Sequence, residues 1–172
     1  NDLYFFRGSD FWKWNDPENE SKDLSETKEK YPVKIHDYWG KLITSIGPQH
    51  IDAVFTDIDF KTYFFKGSEY YLYDSNEQSI AEGYPKYIKD KWKGVPDNLD
   101  AIYVDKDNNI YFIKHQFYYK WNREESMADS SETLKDTWVG APDLINAMFY
   151  YNDKTYIIEY NRVYEFNNEN KL

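Results

Sequence analysis

The sequence predicts an all-β chain, a four-bladed β-propeller with short helices between its blades. Three observations predict it. A twelve-residue aromatic stretch recurs four times without a gap, as YFFRGSDFWKWN (4–15), YFFKGSEYYLYD (63–74), YFIKHQFYYKWN (111–122) and YIIEYNRVYEFN (156–167). A shorter element precedes three of the copies, as IDAVF (51–55), LDAIY (99–103) and INAMF (145–149). A third element lies between copies, as YPVKIHDYWG (31–40), YPKYIKDKWKGVP (84–96) and SSETLKDTWVGAP (130–142). The stretches begin at Tyr4, Tyr63, Tyr111 and Tyr156, so the repeats are 59, 48 and 45 residues long. Repeats of that size, rich in short strands, are propeller blades. A β-trefoil needs threefold repetition, which four copies disfavour.

Each element has a local justification. Residues 51–56 read as a short inner strand. Strand 62–66 follows, then a tight turn at Gly67–Ser68, then strand 69–74. Gly-Ser between two aromatic runs is a two-residue hairpin signal, and Gly8–Ser9 repeats it. The other copies carry His115–Gln116 and Tyr160–Asn161, which are poorer turn residues. In the third element an apolar residue stands four before a Trp, at Ile35–Trp39, Ile88–Trp92 and Leu134–Trp138. That spacing predicts one turn of amphipathic helix, ended by the Gly and Pro after the Trp. Segments 16–30 and 123–133 are polar and charge-mixed, and are expected as solvated loops.

The strands do not alternate apolar with polar, as a one-sided sheet would. Tyr63, Phe64 and Phe65 are consecutive and large. Both faces of such a strand must be covered, which is the situation of a blade between two neighbours. Four blades diverge by about 90°, and the wide wedge between them calls for large rings. Near the axis the repeat offers Ala53, Ala101 and Ala147. The aromatic content, 20% of the chain, is thus expected as interior rather than as a stack for a flat ligand.

Composition bounds the function. The chain has 172 residues, 41% of them hydrophobic, which suffices for one domain with its own core. Net charge is −10. That repels phosphate backbones and anionic membranes, so nucleic acid is disfavoured as a partner and cationic partners are weakly favoured. Polyamines and metal ions are such cationic partners. No apolar run reaches 18 residues, so no membrane-spanning helix is expected. Residues 1–10 show neither a basic nor an apolar region, so no leader is visible. Cysteine is absent, which removes disulfides, thiolate metal sites and Cys nucleophiles. GxSxG, HExxH and a phosphate loop are also absent, and the chain is expected to be noncatalytic.

The three motif types in register resemble the hemopexin-like repeat over nearly the whole chain. The resemblance implies one domain, 1–172, with blades near 1–47, 48–96, 97–142 and 143–172. The Cys-free chain is more similar to plant seed albumins and bacterial photopexin-type proteins than to animal members, whose first and last blades share a disulfide. It implies a binding or interaction module, with a ligand carrier for haem or polyamine, or a component of a larger secreted toxin-like protein, as alternatives. It favours a secreted or extracellular setting, and the absence of Cys leaves the cytoplasm open.

The resemblance also implies Ca2+ or Na+, with chloride, in a central channel. Asp52, Asp100 and Asn146 lead the inner strands and are the candidate ion residues. Oxygen ligands suit hard cations. The other reading is that they cap strand starts and hydrogen-bond backbone. Haem needs an axial ligand, and only His36, His50 and His115 offer imidazole, none at ligand spacing. In haem-binding relatives the site lies between two propellers. Strand counting gives three, four, four and three, so the first and last blades are expected to be incomplete. Homodimerisation by strand exchange follows from that expectation.

Overall fold

The computed structural model describes residues 3–7, 10–14, 33–38, 46 and 51–167. The expected turn at Gly8–Ser9, the loop 16–30, Trp39 and His50 lie outside the described residues, as does the side chain of His36. Four antiparallel sheets follow one another along the chain as the four blades of a β-propeller. Blade 1 has β1 (Leu3–Arg7), β2 (Asp10–Trp14) and β3 (Val33–Lys34). Blade 2 has β4 (Ala53–Thr56), β5 (Thr62–Lys66), β6 (Glu69–Asp74), β7 (Ser79–Ile80) and β8 (Lys86–Tyr87). Blade 3 repeats this with β9 (Ala101–Val104), β10 (Ile110–Lys114), β11 (Phe117–Asn122), β12 (Met127–Ala128) and β13 (Glu132–Thr133). Blade 4 has β14 (Ala147–Tyr151), β15 (Lys154–Glu159) and β16 (Arg162–Asn167).

The hairpin 62–66/69–74 forms where the sequence predicts it, in the register Lys66↔Glu69. The strand counts differ from expectation, at three, five, five and three among the described residues. The extra strands are two-residue pieces. β7 and β8 both pair with β6, and β12 and β13 both pair with β11. Segment 123–133 is therefore not all solvated loop, because its residues Met127–Ala128 and Glu132–Thr133 pair with β11.

The helices are single turns, Ile35–Tyr38, Ile88–Lys91 and Leu134–Thr137. In the last two the Trp itself is the C-cap. The N–H of Trp92 donates to the Ile88 carbonyl and that of Trp138 to the Leu134 carbonyl, both at 2.7 Å. The chain then turns through Gly94 at φ +81°, where a Cβ would meet the Ala128 carbonyl oxygen at 3.3 Å. Only glycine fits that approach to the next blade without displacement.

Both faces of the aromatic strands are covered, as expected. Tyr63, Phe64 and Phe65 are 3%, 1% and 0% exposed. Trp92 packs against Phe55, Tyr63, Phe65 and Tyr70 of its own blade, and against Phe112 and Trp121 of blade 3. Trp138 packs against Tyr103, Tyr111 and Tyr118, in a cluster that includes Met148, Ile157 and Phe166 of blade 4. Each Trp thus fills the wedge between two blades. Burying a large side chain contributes about 1.5–3 kcal/mol, so these rings dominate the cohesion of neighbouring blades.

Candidate functional site

The candidate ion residues share one arrangement. The N–H of Gly67 donates to Asp52 Oδ2 at 2.7 Å, that of His115 to Asp100 Oδ2 at 2.5 Å, and that of Tyr160 to Asn146 Oδ1 at 2.6 Å. Each donor is the first residue of a hairpin turn and has positive φ, 60°, 56° and 50° in turn. A side chain at the head of the inner strand therefore pins the turn of the same blade. Glycine takes positive φ freely, whereas His and Tyr are disfavoured there. The poor turn residues His115 and Tyr160 still form two-residue turns because a carboxylate or amide oxygen holds their N–H. Asp100 has a second partner in Lys114 Nζ, at 3.2 Å. Asp52, Asp100 and Asn146 thus cap turns, and among the described residues no group of three His, Asp or Glu side chains gathers as a metal site.

A second repeated feature joins the inner strand to the next strand. Loops 57–61 and 105–109 have the same length and the same backbone bonds. The N–H of Asp57 bonds the Lys61 carbonyl, and the N–H of Phe60 bonds the Asp57 carbonyl. Asp105, Asn109 and Asn108 do likewise. Phe60 and Asn108 both have positive φ, 62° and 61°. This is a three-residue loop closed by a left-handed residue, a position suited to Gly or Asn.

The side chains part company there. Asp105 is buried and accepts from the N–H groups of Asp107 and Asn109, the Asn109 amide and the Tyr111 hydroxyl. Burial alone would raise its pKa. The bonds from Asn109, Tyr111 and Asp107 outweigh that and hold the carboxyl below its ordinary value. Burial, then the Asp105 charge, pushes the Tyr111 hydroxyl up. Asp57 instead takes Arg123 of blade 3, at 2.6 and 3.3 Å. The hydrogen bond to Asp57 raises the Arg123 pKa. At the tip of the Asp57 loop, Phe60 is 90% exposed and Ile58 is 61% exposed.

Sequence reasoning missed this tip. The signal was Asp57-x-Asp59 beside Asp105-x-Asp107 in the same register, with Phe where the sister loop has Asn. His115, placed in a turn by the sequence, is in that turn with its side chain exposed. Its Nδ1 lies 3.5 Å from Asp100 Oδ2. No described helix is long and apolar enough to cross a membrane.

The profile of the Hemopexin family matches residues 51–97, the whole of blade 2 with its Trp segment. The chain superposes on the hemopexin fold protein CP4 from cow pea with a TM-score of 0.73 at 15% identity, over 98% of this chain and 83% of that one. The chain has the hemopexin fold. A second structure similar to it is a plant lectin with two metal binding sites from Cicer arietinum. Its TM-score is 0.74 at 18% identity, over 97% of this chain and 81% of that one. By sequence the chain is similar to interstitial collagenase from Equus caballus, 32% identical over 97 residues, or 56% of this chain and 18% of that protein. The curated relatives are matched over less than a fifth of their length. The likeness to the Hemopexin family is thus placed in sequence on blade 2, and the likeness in fold extends over nearly the whole chain.

Proposed function

We propose that this chain is a noncatalytic binding module that engages an extracellular protein partner through the Asp57–Lys61 loop. One observation carries the reading. Phe60 is held in the left-handed region, where a bulky residue is disfavoured, and its ring is left in water. Neither backbone preference nor burial accounts for it, and strained exposed residues mark contact sites. The charges beside it are paired, Asp57 with Arg123 and Asp59 with Lys61. The tip is therefore an apolar knob that can enter a pocket without stranding a charge. Five of the six rings of YFFKGSEYYLYD, all but Tyr73, are buried, which leaves no stack for a planar ligand such as haem.

The test replaces Phe60 by Asn, the residue of the sister loop. Immobilised chain is challenged with purified extracellular-matrix proteins, and separately titrated with haemin and spermine. The reading expects saturable protein binding that F60N abolishes while the fold persists. Stoichiometric haemin or spermine binding unaffected by F60N would replace it with the carrier reading.

A channel cation, Ca2+ or Na+ with chloride, is a second proposal, supported by the likeness to the lectin with two metal binding sites. The Asp52, Asp100 and Asn146 side chains each give one oxygen to a turn N–H, so the ion would draw on the remaining carboxylate oxygens together with backbone carbonyls. Thermal melting with and without added calcium tests this, and an unchanged midpoint sinks it.

A further inference from the structure

Residues 84–94 read YPKYIKDKWKG, with four Lys and one Asp, a local charge of +3 in a chain of −10. They form β8, the one-turn helix Ile88–Lys91 and its Trp92 cap. Ile88 and Trp92 are buried and anchor the segment on blade 2. Lys86, Lys89, Lys91 and Lys93 are exposed, and the Tyr87 ring between them is 53% exposed. The cations thus stand along one strand-to-helix turn on the outside of the blade. From the rise of strand and helix residues, the strip is roughly 15 Å long.

These lysines differ from cations elsewhere in the chain. Lys61, Lys106, Lys114, Lys135 and Lys154 each have a carboxylate oxygen within 3.2 Å. Among the described residues, Lys86, Lys89, Lys91 and Lys93 have no such ion pair. Three of them rest on rings instead. Lys86 Nζ lies 4.7 Å from the Tyr84 ring centroid and Lys89 Nζ 5.3 Å from that of Tyr87. Lys91 Nζ lies 4.3 Å and 4.7 Å from those of Tyr63 and Trp92. A ring face holds an ammonium in place without neutralising it. The neighbour across the seam is β12, whose Ala128 N–H donates to the Lys93 carbonyl at 2.8 Å. It sets Met127, and no acid, beside Lys93.

The fold does not require these cations. Blade 3 builds the same strand, helix and Trp cap from SSETLKDTWVG, residues 130–140. There Glu132, Thr137 and Val139 stand where blade 2 has Lys86, Lys91 and Lys93. Lys135, the one lysine in common, is paired with Asp143 at 2.6 Å. We infer that the Lys86–Lys93 strip of blade 2 is a docking surface for a short acidic segment of a partner polypeptide. A few Asp or Glu side chains face the lysines, and one apolar side chain lies on Tyr87. A long polyanion would also have to cross the net-negative remainder of the surface, which repels it. A short acidic segment puts its charge only opposite the strip, where complementarity steers the encounter and sets the register. The inference does not rest on the Phe60 loop.

The probe is the synthetic peptide EEDEFEDE, titrated into the full chain by calorimetry at low ionic strength. The expected result is saturable one-to-one binding that weakens as salt is added. Lys86→Glu together with Lys89→Glu weakens it by roughly tenfold or more, and Lys93→Glu alone by about threefold. Lys106→Glu together with Lys135→Glu makes the same change in net charge at exposed, paired lysines, and alters binding by less than about twofold. F60N leaves it unchanged. All these lysines are exposed, so the variants keep the fold, which circular dichroism checks. Absence of saturable peptide binding overturns the inference. So does an equal loss in the two double variants, which would reduce the effect to net charge. Binding of a heparin oligosaccharide without binding of the peptide overturns it too, and gives the strip to a polysaccharide.

Discussion

Loops 57–61 and 105–109 are one backbone put to two uses. Length, turn bonds and the left-handed third residue are the same. In blade 3 the loop closes on itself. Asp105 gathers its neighbours, Tyr111 anchors it from below, and Asn108 sits in a conformation Asn tolerates. In blade 2 the carboxylate keeps one loop N–H, that of Ile58 at 2.7 Å, and takes Arg123 of the neighbouring blade, Lys61 replaces Asn109, and Phe60 is left at the tip. The scaffold is fixed by hydrogen bonds common to both. Whether the loop is structural or presents a contact is set by which partner its first Asp finds.

The largest test of that contrast is Asp105→Ala. It strands the Tyr111 hydroxyl and the Asn109 amide in a buried setting, and should lower stability by about 2–3 kcal/mol in urea unfolding. Asp57→Ala should lower it by much less. The acid dependence follows from the same group. Its folded pKa is depressed, so its contribution is complete above the unfolded value of about 3.9 and is lost as pH falls through the folded value. The stability gap between wild type and Asp105→Asn should hold from neutral pH to about pH 5 and close in more acidic buffer. A gap that widens with acid would refute the assignment.

The turn caps give the next effect. Asp100→Ala should destabilise by about 1–2 kcal/mol, because His115 then keeps positive φ without its acceptor. Asp52→Ala should lower stability less, since Gly67 adopts that φ freely. Equal losses at the two positions would show that the cap does not compensate the turn residue.

Phe60→Asn should raise stability by about 0.5–1 kcal/mol, and Asn108→Phe should lower it similarly. Thermal melts of the pair measure the conformational preference directly. Smallest is Arg123→Ala, at about 0.2–1 kcal/mol, shrinking as salt is added. A loss unaffected by salt would mean that Arg123 acts by packing.

Most of the fold was legible because the repeat is local. Hairpin 62–66/69–74, the aromatic interior and the one-turn helices before Trp92 and Trp138 all follow from periodicity and spacing. The two-residue strands β7, β8, β12 and β13 did not. Their pairing is fixed by the edge of the third strand, and two residues carry no period. The site was less legible for the same reason. The Asp100–His115 and Asp57–Arg123 contacts span 15 and 66 residues and depend on how blades and turns face one another.

Trp92 and Trp121 belong to different blades, and their ring centroids lie 4.9 Å apart at 65°. The dichroism of that pair depends on the fixed angle between its rings, so it is an optical gauge of one seam. A separation of blades 2 and 3 that left every strand intact would remove the pair's contribution while the strand signal persisted.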